Sequence, residues 1–354
     1  MSASLVGSEM CIRDRYYVVD PGTWCDKSQI TDMIQSGIEW DADADTLGSA
    51  SFDVGSVLGE CYVRTYLITI QNGIREKFPM GTFLVQTPKS SFDGRYQKVS
   101  IDAYTPLLEL KEGIPPLGYS ILKNGNVMSN AYKIVSENMR APVIKTASDD
   151  KLYNDFVANT SDTWLTFTKD LLSNAKYNLG LDEVGRVLFL PDQDAASLQP
   201  VWTYTDDNSS ILYPDMSVEH DIYGIPNVVE VYYSGSHDNY FARVVNDDPN
   251  SPTSTVNRGR EIVHRETDPQ FSGEPTNRQV KDYATSLLSQ LSSVEYTISY
   301  SHGYCPVRLY DCVRLNYERA GLMDIKAKVT RQSIECKPGC KVTETAVFTT
   351  NLWR

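Results

Sequence analysis

Histidine is scarce in this chain, four residues among 354, and the four are scattered as His220, His237, His264 and His302. None belongs to an H-E-x-x-H pair, and the chain also lacks a G-x-S-x-G elbow and a phosphate-cradling glycine loop. Metallopeptidase, serine hydrolase and nucleotide-binding chemistry thus lose their usual signatures. Long apolar runs are missing too: no stretch approaches the roughly 18 residues that cross a bilayer, and no charged-then-apolar opening has the form of a secretion signal. No membrane span is expected, and exit from a cell would take another route, such as lysis.

Runs of positive charge are the third lack. The 46 acidic and 33 basic residues give a formal net charge of −13, spread without a long run of either sign. A dedicated nucleic-acid grip needs a basic stripe for the phosphates, so none is expected. An acidic wall, by contrast, suits a conduit in which DNA slides rather than sticks.

Cysteines number seven. Four of them near the end, Cys305, Cys312, Cys336 and Cys340, raise the question of zinc. Six residues separate the first pair and three the second, whereas a zinc knuckle usually closes about two to four in each half. Cys336-Lys337-Pro338-Gly339-Cys340 also reads as a hairpin turn with Pro-Gly at its centre. Free thiols suited to a reducing cytoplasm are the expected state, with a disulfide across the turn as an alternative.

The carboxylates are abundant but badly placed for chemistry. Asp41, Asp43 and Asp45 open like a calcium loop, yet the sixth position is Thr46 instead of Gly and the twelfth is Phe52 instead of Glu. A solvated turn is expected there. The pairs Asp149-Asp150, Asp206-Asp207 and Asp247-Asp248 lie in turn-rich sequence, where neighbours do not face each other across a glycosidic bond. Asn159-Thr160-Ser161 and Asn208-Ser209-Ser210 are glycosylation sequons by spelling alone. No catalytic, cofactor-binding or metal-binding residue is assigned, and no cofactor is expected.

What is present is organised around Ser161–Pro191. Trp164, Leu165, Phe167, Leu171, Leu172 and Ala175 fall at helical spacing behind a Ser161 N-cap. Tyr177, Leu179 and Leu181 then alternate, Asp182-Glu183-Val184-Gly185 turns, and Val187 to Leu190 run apolar to Pro191. A helix on a hairpin is therefore predicted in the middle of a strand-rich chain. Before it, strands are predicted over 29–40, 49–54, 62–71, 81–87 and 96–103, then a linker over 112–118 and a helix over 127–139 capped by Asn126. After it come strands at 201–207, 228–233 and 240–245, and a long surface loop over 246–260. Thr276 and Gln279 make a capping box before Val280, Tyr283, Ala284, Leu287, Leu288 and Leu291. Strands at 296–300, 312–317, 325–335 and 341–349 complete the pattern.

Residues Met1 to Arg15, MSASLVGSEMCIRDR, fit neither a transit peptide nor a first strand. They resemble the translation of a transposon-type sequencing adapter, which removes Cys11 from consideration and implies a gene cut short of its true start.

From Tyr16 to Arg354 the chain resembles the phage tail hub and baseplate hub proteins. The resemblance is carried by "SFDV", "FPMGTFLV" leading to "VSIDAYTPLLEL", the "TWL…LL…YN" helix and hairpin, "IPNVVEVYY" and the terminal "NLWR". It implies a mainly β chain with an α+β insertion: a β-barrel tube domain over 16–113, an inserted α/β module over 114–205 and a second β-barrel tube domain over 206–354. It further implies a homotrimer whose six barrels form a pseudo-six-fold ring at a virion tail tip, assembled in the bacterial host cytoplasm. Implied partners are the tail tube or distal tail protein on one side and a tip spike, fibre or tape-measure protein on the other, with DNA passing through the lumen. Hub relatives often carry a lysozyme or peptidase domain after the hub fold. Here Asn351-Leu352-Trp353-Arg354 follows the last predicted strand directly, so a peptidoglycan hydrolase or endopeptidase reading would need a site in the hub itself. A host-binding adhesin is the other alternative.

Overall fold

The computed structural model describes residues 13–353 apart from 72–73, 93, 96, 209, 236–237 and 272–273. His237, Ser209 and most of the adapter-like leader, Cys11 included, lie outside the described residues. With 46% of residues in strands and 16% in helices, the chain is mainly β, as expected. Among the described residues no helix is long and apolar enough to cross a membrane.

Seven strands open the chain: β1 (Arg13–Val19), β2 (Asp26–Ile30), β3 (Met33–Asp41), β4 (Gly48–Val54), β5 (Tyr62–Gln71), β6 (Ile74–Phe92) and β7 (Gln97–Tyr104). They pair in the order β3-β4-β7-β6-β5-β1-β2. Alternation sends Ile38, Trp40, Phe52, Phe83, Val99 and Ile101 into one buried cluster. Three boundaries differ from the sequence reading. The backbone of 13–15 pairs with Ile68, Leu67 and Tyr66, so the end of the leader is strand. The expected strand over 29–40 breaks at Thr31-Asp32 into β2 and β3, where Asp32 turns to accept a backbone bond from Gly55. The strand expected over 81–87 is the centre of a 19-residue β6. Its "FPMG" segment hides the continuity, because Met80 bulges between the Thr65–Gly81 and Tyr66–Pro79 pairs, and a bulge is where a strand tolerates a proline.

The middle of the chain holds α1 (Leu108–Glu112), β8 (Ser120–Ile121), α2 (Val127–Asn138), β9 (Phe156–Val157), α3 (Trp164–Ser173), β10 (Tyr177–Leu181) and β11 (Val187–Pro191). The helix α2 starts as expected, with the Asn126 side chain accepting from the Ser129 amide at 2.8 Å. The α3 cap is Thr163 rather than Ser161. Asp162 instead accepts from the Asn159 amide and holds that segment in a turn, while Thr163 and Thr166 exchange capping bonds. Fully buried Phe167, Leu171 and Leu172 seat α3 against α2 and the β10–β11 hairpin. Each contributes about 1.5–3 kcal/mol by leaving water.

The hairpin turn is fastened to the first sheet through one carbonyl. Val184 O accepts from Trp24 Nε1 at 2.8 Å, Arg64 Nη2 at 3.0 Å and Thr82 Oγ1 at 3.0 Å. Gly185 makes this approach possible: with φ at +80°, it leaves space where a Cβ would come within 2.8 Å of Thr82.

The remainder comprises β12 (Trp202–Thr205), β13 (Leu212–His220), β14 (Val228–Ser234), β15 (Asn239–Val245), α4 (Thr255–Arg258), β16 (Val263–Thr267), α5 (Asn277–Leu291), β17 (Ser293–Gly303), β18 (Cys312–Tyr317), β19 (Leu322–Glu335) and β20 (Lys341–Asn351). Two compact units result, Met1–Met216 with Tyr300–Ala346 and Ser217–Ser299 with Val347–Arg354, so the last third of the chain is shared between them. In the first unit β19 extends the sheet by pairing with β3, and β18 and β12 follow it. In the second, β15-β14-β16 form a three-stranded sheet whose one face is covered by α5 through Val229, Val231, Ala242, Val280, Ala284 and Leu288. The capping box of α5 is present as expected.

The 246–260 segment is exposed over most of its length, as expected of a surface loop, with the short α4 and four buried residues within it. Asn246, Ser251, Thr253 and Ser254 are buried, and Asn246 Nδ2 donates to Ser251 Oγ at 2.9 Å. Turn-forming side chains that bond their own backbone can be buried as readily as exposed.

Candidate functional site

On the first unit, β19, β3, β4 and β7 run side by side, and strand alternation gives their outer face two rows of residues. One row is Glu335, Gly37, Ser51 and Asp102; the next is Ser333, Glu39, Ser49 and Tyr104. These rows line a shallow cleft of about 330 Å³. Its centre is built of glycine and serine, its carboxylates are Glu39, Asp102 and Glu335, and its lysine is Lys337. With three carboxylates to one lysine the cleft is acidic, the character wanted where a polyanion must not adhere.

The opposite face of these strands, and the strands beyond them, hold a polar cluster out of contact with water. His302 on β17 and Glu344 on β20 are 0% exposed at their side chains, with Nε2 and Oε2 at 3.4 Å. Tyr204 and Tyr300 both donate to Glu344 Oε2, at 3.0 and 2.5 Å, and Gln332 Nε2 donates to Oε1 at 2.6 Å. His302 Nδ1 lies 2.7 Å from Gly303 O, which can only accept. Nδ1 is therefore a donor, and Nε2 faces both the Tyr204 hydroxyl, at 3.1 Å, and the Glu344 carboxylate.

Burial alone would lower the His302 pKa, but bonds from Cys305 and Glu344 outweigh it and hold it up at about 10. Burial would raise that of Glu344, but the bond and charge of His302 together with the bonds from Tyr300 and Gln332 outweigh it and hold the carboxyl below its ordinary value. Burial and the Glu344 charge push both phenols far up, so Tyr204 and Tyr300 remain neutral donors. Charge is thus matched one to one inside the sheet, where an unmatched charge would be very costly.

Apart from His302 and Cys305, the residues singled out from sequence lie elsewhere. Asp41 pairs with Arg331 at 2.5 Å and Asp45 with Lys111 at 2.7 Å, in the β3–β4 turn. Asp206 accepts from Arg319 at 3.1 Å, Asp150 from Ser148, and Asp248 from the Asn250 amide at 2.8 Å. His220 stacks on Tyr296 with centroids 4.5 Å apart, and His264 sits 4.0 Å from Glu266. Cys305 lies within the polar cluster, 3.1 Å from the Tyr204 hydroxyl, and Cys312 is buried beside Ala195 O. Cys336 and Cys340 are buried at the β19–β20 turn. Among the described residues no group of three or more His, Cys, Asp or Glu forms a metal cage. The cluster that does assemble, His302 with Glu344, Tyr204, Tyr300, Gln332 and Cys305, draws on four strands and a loop. Only the alternation of His302 within "ISYSH" hinted at its inward direction.

No protein-family model and no curated protein sequence matches the chain. Solved structures do. The chain is similar to the tail protein from Neisseria meningitidis MC58, with TM-score 0.61 and 13% identity over 96% of this chain and 98% of that one. It is similar to the 43 kDa tail protein of prophage MuSo2 from Shewanella oneidensis, with TM-score 0.59 and 9% identity over 95% and 98%. A third likeness is to the E. coli c3393 protein, a type VI secretion component described as similar to T4 bacteriophage tail proteins gp27 and gp5, with TM-score 0.51 and 8% identity over 91% and 75%. At such identities the likeness is one of fold: the chain has the fold of phage tail and baseplate hub proteins.

Proposed function

We propose that this chain is a structural hub of a phage or prophage tail tip or baseplate, and not an enzyme. In this reading one tube domain comes from the first third of the chain and a second from its C-terminal part, with the α/β module between them. Three copies close a pseudo-six-fold ring that joins the tail tube or distal tail protein to a tip spike, fibre or tape-measure terminus. The observation that carries the reading is the acidic face of β19, β3, β4 and β7, which we assign to the wall that DNA passes. Three such faces around a lumen, one from each copy, would repel the phosphates and leave the polymer free to slide.

Light scattering across a concentration series tests the ring. A trimer, imaged as a pore with six similar lobes, supports it; a monomer at every concentration overturns it. Replacing Glu39, Asp102 and Glu335 together by lysine tests the wall, because the variant should retard duplex DNA on a gel while the parent does not. A cleared band on cell-wall material would replace this reading with that of a tail-associated peptidoglycan hydrolase, and binding of monomers to intact cells with that of an adhesin.

A further inference from the structure

Within the first unit, the β10–β11 hairpin, the first sheet and the segment joining β17 to β18 leave between them a cavity of about 80 Å³. Leu181, Leu188, Leu190 and Met80 give it apolar walls, and Trp40, Tyr304 and Tyr310 add three aromatic rings. An apolar cavity of roughly 150 Å³ admits benzene, so this one suits a smaller guest.

The charges that line the cavity are matched except for one. Arg308 reaches across to Glu183 on the hairpin, Nη2 to Oε2 at 2.6 Å. Asp182 accepts from the Val184 and Arg186 amides and from Arg186 Nε. Asp311 is left over. Its Oδ2 accepts from the Arg308 amide at 2.8 Å, a neutral donor, and among the described residues its Oδ1 has no hydrogen-bond partner. Burial raises its carboxyl above the ordinary aspartate range, against the bond and charge of Arg308, which marks a charge only partly compensated. The hydroxyls of Tyr304 and Tyr310 likewise have no hydrogen-bond partner among the described residues.

The backbone holds this group in place at a cost. Tyr310 has φ at +69°, a conformation strained for an aromatic residue, and it is kept there by Tyr310 N donating to Val329 O at 2.8 Å and Val329 N to Asp311 O at 2.9 Å. Strain that the surroundings enforce is concentrated at ligand sites. The Tyr310 ring already faces one cation: Lys328 Nζ lies 5.5 Å from its centroid, with its own charge matched by Asp192 at 2.9 Å.

We propose that this cavity binds a small organic monocation, an alkylammonium group, with Asp311 as its counter-ion and the rings of Trp40, Tyr304 and Tyr310 around its methyl groups. Each alternative guest fails one part of the site. An anion meets Asp311, a neutral hydrocarbon leaves that carboxylate unmatched, and a hydrated metal ion finds apolar walls. Aromatic rings beside a carboxylate satisfy the alkyl surface and the charge of an alkylammonium together. The site does not depend on the acidic face or on ring formation.

The test uses the full chain labelled at its methionine methyls, with the Met80 signal assigned by Met80→Leu. Tetramethylammonium chloride is titrated at constant ionic strength against sodium chloride, and tert-butanol serves as a neutral probe of similar size. A saturable shift of the Met80 methyl with tetramethylammonium, at least tenfold weaker with tert-butanol and with the Asp311→Asn protein, supports the proposal. Thermal unfolding matched to the parent shows that the variant is folded, and the comparison of probes on the parent needs no variant. Equal affinity for both probes, an equal response to sodium, no shift with any of them, or undiminished binding by folded Asp311→Asn overturns it.

Discussion

Two buried polar clusters, one in each compact unit, solve the same problem with different chemistry. In the first unit an imidazolium and a carboxylate, His302 and Glu344, are sealed among strands with Tyr204, Tyr300 and Gln332 around them. In the second, neutral Asn227 and Asn246 organise the backbone around them: Asn227 Oδ1 accepts from the Ile262 amide at 2.7 Å, its Nδ2 donates to Arg260 O at 3.0 Å, and its carbonyl accepts from the Asn246 amide at 2.8 Å. The charged cluster joins side chains distant in sequence. The neutral one mostly joins side chains to nearby backbone. The first should be costly to break and sensitive to pH, whereas the second should be cheaper to break and indifferent to it.

The largest effect is expected from Glu344→Leu, which strands a buried imidazolium. It should cost about 3–5 kcal/mol, read as lost protection of β17 and β20 amides in hydrogen exchange. A cost near that of a surface substitution would show that the pair is not charged. Titration separates the two clusters without mutation. His302, held up at about 10 against an ordinary 6.5, stabilises fully below 6.5 and loses its contribution as pH rises towards 10. Glu344, held below its ordinary 4.5, contributes fully above 4.5 and fades as pH falls further. Protection in the first unit should therefore peak between those two ordinary values, while the Ile262 amide of the second should not follow that profile.

Asn227→Ala ranks next. It orphans the Ile262 amide and the Arg260 carbonyl, for about 1–3 kcal/mol in the second unit, and the loss should be the same at pH 5 and at pH 9. Thr276→Ala at the α5 cap should cost about 1 kcal/mol, with fraying limited to the first turn of the helix. A larger or pH-dependent loss at either position would erase the contrast drawn between the units.

Local rules made much of this fold legible. The caps Asn126 and Thr276 start their helices where side-chain chemistry alone says they should, and the β10–β11 hairpin follows from alternation and a four-residue turn. The misses have separate causes. Ser161 is a good cap by type, but Asp162 holds its segment in a turn, so the helix waits for Thr163. The 19-residue β6 looked interrupted because a Pro-Met-Gly bulge and a strand break are spelled alike. The segment 246–260 has the composition of an exposed loop, yet four of its residues are buried, because its hydroxyls and amides are satisfied by one another and by backbone, which removes the penalty of burying them.

By itself the sequence determined the mainly β character, the helix and hairpin at the centre and the acidic balance, because periodicity, capping and charge act over a few residues or are simply summed. Tertiary structure alone decided that Glu39, Asp102 and Glu335 share a face, that His302 meets Glu344, and that Trp40, Tyr304 and Asp311 line one cavity. Those facts depend on strand order and register between segments as much as about 290 residues apart, such as Asp41 and Arg331. Shifting a register by one residue reverses every side chain in a strand, and no local pattern fixes which distant strand will be the neighbour.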